Sequence, residues 1–89
     1  MKVNTLINKE KFALIGDQIY EQKLKGIIEN QHKGKFVAID VNSEDFEIDA
    51  KEMNAVDRLN LRHPNSQIWL KRIGSRYVRH FSPRYQKSV

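Results

Sequence analysis

The chain contains no cysteine, and its 89 residues include only four glycines, two prolines and one tryptophan. Without cysteine there is no disulfide framework, no thiolate nucleophile and no cysteine-based zinc site. No apolar run approaches the roughly 20 residues that span a bilayer. Residues 1–10 carry neither the apolar core nor the small-residue cleavage site of a secretory signal, so the default expectation is a cytoplasmic protein. Acidic residues are missing from one whole region as well: none follows Asp57.

What is present reads as one small folded domain. A content of 39% hydrophobic and 30% charged residues suits a soluble globular chain rather than a disordered one. A chain this short buries a modest share of its surface, so it is marginal alone and gains from self-association. The expected organisation is a single α+β domain over residues 1–83 and a mobile basic tail over 84–89. The net charge of +5 is strongly segregated. Residues 1–39 carry seven lysines against four acids, residues 40–57 one lysine against seven acids, and residues 58–89 eight Lys or Arg and no acid. Such a basic block suits phosphate, an acidic partner or the acidic block of a second copy, and it equally suits edge strands solubilised by charge.

Periodicity predicts a helix over about residues 8–30. Phe12, Ile15, Ile19, Tyr20, Leu24, Ile27 and Ile28 fall on one broad stripe. Asn8 is a reasonable N-cap with Glu10 in the first turn. Gly16 and Gly26 weaken the helix, and Gly26 either breaks it or permits close packing on a sheet.

Residues 34–81 then read as β-β-α-β-β. Val37, Ile39 and Val41 alternate with Phe36, Ala38 and Asp40, residues 42–45 form a polar turn, and Phe46-Glu47-Ile48 resumes the alternation. Asp49 with Glu52 three residues on matches a capping box, and Met53, Val56 and Leu59 continue as a helix to about Arg62, before Pro64. Residues 67–73 and 76–81 form a second hairpin around a Gly74-Ser75 turn of type II′, with Ile68 opposite Phe81, Trp69 opposite His80, Leu70 opposite Arg79, Lys71 opposite Val78, and Arg72 opposite Tyr77. The connections imply a four-stranded, mainly antiparallel sheet in the order 2-1-3-4 with the helices on one face. The other face would then be open, with Phe36, Trp69 and Val78 on it.

Catalytic patterns are weak. His32, His63 and His80 are dispersed, with no His-x-x-x-His or His-Glu-x-x-His spacing. Asp40, Glu44, Asp45, Glu47 and Asp49 cluster at the first hairpin, but they lack the central glycine of a calcium loop and read as solvent-facing turn, edge and cap residues. No nucleophile elbow and no glycine-rich phosphate loop is present. The expectation is a non-enzymatic chain without metal or cofactor.

The run Gly34-Lys35-Phe36-Val37-Ala38-Ile39-Asp40-Val41, with His63-Pro64 and Arg72-Ile73-Gly74, resembles an uncharacterised family of short prokaryotic proteins, frequent in cyanobacteria. The resemblance covers about residues 17–81. It implies genes sometimes placed beside a retropepsin-like aspartic protease, in operons of toxin–antitoxin appearance. It attaches no catalytic residue to any position.

The second hairpin carries the functional content of the sequence. Lys71, Arg72, Arg76, Arg79 and Arg84 interleave with Trp69, Tyr77, Phe81 and Tyr85. Trp69, Lys71, Arg72, Arg76, Tyr77 and Arg79 are the candidate partner-binding residues. Aromatic and arginine enrichment suits a protein interface or self-association first, as in an antitoxin-like accessory module. Nucleic acid is the alternative, since basic residues engage phosphate and aromatic faces stack on bases.

Overall fold

The computed structural model describes residues 9–81. Helix α1 (Lys9–Ile19) runs into a wide π-helical turn (Tyr20–Leu24) and a closing turn α2 (Lys25–Ile28). Strands β1 (Phe36–Asp40) and β2 (Phe46–Asp49), helix α3 (Glu52–Arg62), and strands β3 (Ile68–Arg72) and β4 (Val78–Phe81) follow. The sheet has the expected order β2-β1-β3-β4, and every neighbouring pair is antiparallel. In the second hairpin Ile68 faces Phe81, Trp69 faces His80, Leu70 faces Arg79 and Lys71 faces Val78, the register read from the sequence.

The helices do not share a face. Phe12, Ile19, Tyr20, Leu24 and Ile28 pack with Val37, Ile39, Val41, Trp69 and Ile73 on one side of the sheet. Ala55, Val56 and Leu59 of α3 pack with Ala38, Ile68, Leu70 and Phe81 on the other. The expectation of one helical face and one open face is thereby corrected. The reason lies in the central strands, where Val37-Ala38-Ile39 and Ile68-Trp69-Leu70 are apolar at consecutive positions and all buried. Strands apolar on both faces need cover on both.

The π-helical turn changes which residues of the first helix face inward. Its extra residue sets the helical phase back, so Tyr20, Leu24 and Ile28 all point at the sheet while Ile27 is 69% exposed. The Lys25 N–H bonds to the Tyr20 carbonyl across this turn. Asn8, the expected cap, lies outside the described residues, as does the tail at 84–89.

Two local expectations change. Helix α3 has Lys51 as its N-cap, with no side-chain cap bond. Asp49 instead ends β2 and accepts the Lys51 N–H at 2.8 Å, so no capping box forms. The β3–β4 loop also closes one residue earlier than a two-residue hairpin. The Ser75 N–H bonds to the Arg72 carbonyl at 3.1 Å, leaving Gly74 (φ 85°) at the third position of that turn. A positive φ at the third position is the type II requirement, not that of type II′. Ile73, just before this glycine, is buried in the core with Trp69.

Candidate partner-binding site

The acidic hairpin is neutralised from within. Arg58, on α3, bonds Glu47 Oε1 at 2.8 Å and Asp49 Oδ2 at 2.9 Å, one helical turn before Arg62, which bonds Asp45 Oδ2 at 2.9 Å and also pairs with Glu47. His63 Nε2 sits 2.9 Å from the same Asp45 oxygen. The Arg62 guanidinium and then His63 pull the Asp45 carboxyl down to about 2. Arg58 and Arg62 hold Glu47 below the usual carboxylate range. The Lys51 N–H first, then Arg58, does the same for Asp49.

These two arginines also close an edge. In the β1–β2 ladder the Asp40 N–H bonds to the Asp45 carbonyl, so the alternation of antiparallel bonding turns the backbone groups of Phe46 and Ile48 outward. Arg58 donates to the Ile48 carbonyl at 2.9 Å and Arg62 to the Phe46 carbonyl at 3.4 Å. Strand β2 is thus blocked as a template for another strand.

Asp40 departs from the expected solvent-facing role: it is 3% exposed and accepts the Ser43 hydroxyl at 2.8 Å and the Asn42 N–H at 3.3 Å. It borders a cleft of about 370 Å³ shared with Arg62, His63 and Ser66. The Ser43 hydroxyl goes to Asp40 and the Ser66 hydroxyl to Asn60 Oδ1, so neither is presented to an imidazole base. Among the described residues no group of three or more His, Asp or Glu is placed to hold a metal ion.

The six sequence-predicted residues divide sharply. Trp69 is 2% exposed and lies beneath Gly16 of α1. It belongs to the core rather than to an exposed face, and the reading that set it on an open face is corrected. Lys71 is half-buried, its ammonium 5.1 Å from the Tyr20 ring centroid while donating to the Ser75 carbonyl. Arg79 pairs with Glu52 at 2.6 Å, and the Tyr77 hydroxyl donates to the other oxygen of Glu52 at 2.7 Å. The Tyr77 ring stands edge-on to Phe36. Only Arg72 and Arg76 remain exposed with no ionic partner among the described residues.

Two lysines that the sequence reading passed over join them. Phe36 pairs with Arg72, the Ile73 N–H bonds to the Lys35 carbonyl at 2.8 Å, and the Gly34 N–H bonds to the Ile73 carbonyl at 2.9 Å. The Lys33 stem lies across Gly74, where an added Cβ would stand 3.1 Å from Lys33 Cγ. Lys33, Lys35, Arg72 and Arg76 therefore meet at one end of the sheet, and none has an ion pair among the described residues. The signal for the lysines was in the strand order, because antiparallel β1 and β3 bring residues 33–35 beside residues 72–74. Among the described residues no helix is long and apolar enough to cross a membrane. No family model, curated protein or solved structure matches the chain.

Proposed function

We propose that this chain is a non-enzymatic interaction domain, a regulatory or accessory module of the cytoplasm, that holds an acidic partner protein at the basic end of its sheet. One observation carries the reading. The acidic hairpin is consumed by Arg58, Arg62 and His63, and Glu52 by Arg79, while Lys33, Lys35, Arg72 and Arg76 stand together with no ion pair among the described residues. The same pairing weakens the idea that the acidic block of a second copy is the partner. Such a patch steers an acidic surface inward and favours one orientation.

Nucleic acid fits less well. Stacking needs exposed aromatic faces, and Trp69 and Tyr20 are buried while Tyr77 is engaged by Phe36 and Glu52.

The test is the double variant Arg72→Glu/Arg76→Glu, both at exposed positions. Its circular dichroism should match the parent, while a protein co-purifying with the tagged parent from its native cell should be lost. Co-purification that survives the charge reversal defeats the proposal. Salt-sensitive binding of an oligonucleotide, abolished by the same variant, would replace it with the nucleic-acid reading.

A further inference from the structure

Exposed ion pairs each contribute little because water and salt screen them, so four surface cations alone make a weak site. A partner needs further contacts, and β4 supplies them. The Arg72 N–H bonds to the Tyr77 carbonyl at 3.1 Å. The alternation of antiparallel bonding therefore leaves the N–H and C=O of Val78, opposite Lys71, pointing away from β3. Strand β4 is the last in the sheet order among the described residues, and Val78 is 38% exposed. The two edges differ in kind: the outward carbonyls of β2 are capped by arginines, while the outward groups of Val78 have no partner among the described residues.

Beside this edge runs a groove of about 440 Å³ between α1 and β4, lined by Ala13, Leu14, Asp17, Trp69, Val78 and His80. Leu14 is 62% exposed on its wall. An edge strand flanked by an apolar groove and a helix is the arrangement that accepts an added strand, with backbone bonds for affinity and a side-chain pocket for selectivity.

We infer that β4 receives an extended segment of the acidic partner, which pairs with the outward backbone of Val78, seats one apolar side chain in the groove over Trp69, and lays its acidic residues toward Arg76 and Arg72. This deepens the interaction reading above and rests on it. Charge selects the occupant and its placement. The basic end adjoins the start of β4, so the acidic residues belong there. Asp17, which has no ion pair among the described residues, repels an acid at the groove and leaves that position to an apolar side chain.

The probe is a fluorescein-labelled synthetic peptide of alternating valine and threonine led by two glutamates. Its companion carries N-methyl groups at alternate backbone nitrogens, which removes strand pairing without touching the protein. Anisotropy should show the first bound and the second weakened at least about tenfold, the effect of losing one or two hydrogen bonds. Val78→Pro, which deletes an outward N–H that β3 does not use, should match that loss, and Val78 amide exchange should slow on binding. Equal binding of both peptides, with loss only in Arg72→Glu/Arg76→Glu, overturns the strand inference and leaves the interaction reading standing. Loss in Val78→Pro with none in the charge variant keeps the edge and removes the acidic partner. Absence of peptide binding overturns the inference, and a dimer that Val78→Pro dissolves would assign the edge to a second copy instead.

Discussion

Gly16 lies against the indole of Trp69 so closely that a Cβ at position 16 would stand 2.2 Å from Trp69 Cγ. This contact docks α1 on the sheet and places the only tryptophan in the core rather than on a surface. It also explains a glycine in a helix interior, which otherwise costs about 1 kcal/mol relative to alanine.

Gly16→Ala is therefore expected to destabilise the fold. The propensity gain of about 1 kcal/mol is outweighed by overpacking against a rigid ring, a cost of about 1–3 kcal/mol or more at this separation. Gly26→Ala is the control: nothing lies within 4 Å of its added Cβ, and it should stabilise by up to about 1 kcal/mol. Urea unfolding followed by Trp69 fluorescence measures both. A Gly16→Ala midpoint at or above the parent's would refute the account of the contact.

Tyr20 ties the π-helical turn to the rest of the fold through its hydroxyl, which donates to Glu29 Oε2 at 3.2 Å. Burial first, and then the neighbouring Glu29 carboxylate, push this phenol up to about 12 from an ordinary 10, against a smaller opposing effect of the Gly74 N–H. The unfolded chain ionises near 10 while the folded chain keeps its proton. The contribution to stability is complete below pH 10 and is lost as pH rises from 10 toward 12. Tyr20→Phe should cost about 1 kcal/mol near neutrality and remove the late-titrating step from the ultraviolet absorbance of tyrosinate. A titration in which every tyrosine ionises near 10 would contradict this.

Arg62 predicts the opposite end of the pH range. With Asp45 at about 2 and Glu47 also lowered, the folded chain stays ionised where the unfolded chain takes up protons. That stability is present above the ordinary carboxylate range and is lost as pH falls through about 4 toward 2. Arg62→Gln should lower the urea midpoint near pH 7 and flatten its decline on acidification. A variant that loses stability with acid as steeply as the parent would show that Arg62 does not hold these carboxylates.

The strand order and the register of the second hairpin were legible because they rest on local signals: apolar periodicity, turn residues and the short connections between them. The shape of the basic site was half legible. Arg72 and Arg76 stand in the run that reads as basic, whereas Lys33 and Lys35 join them only through the pairing of β1 with β3. Arg58, Arg62 and Arg79 look like their neighbours in sequence, and only their geometry against Glu47, Asp45 and Glu52 removes them from the surface charge.

The chain by itself determined that it would form a β-β-α-β-β sheet behind a long helix and would set an acidic block, residues 40–57, between two basic ones. Those properties depend on residue type and spacing alone. The tertiary structure decided which face each helix covers, that Trp69 is core, and which charges remain unspent. Such outcomes depend on side chains distant in sequence competing for the same contacts, as Gly16 with Trp69 and Arg62 with Asp45 show.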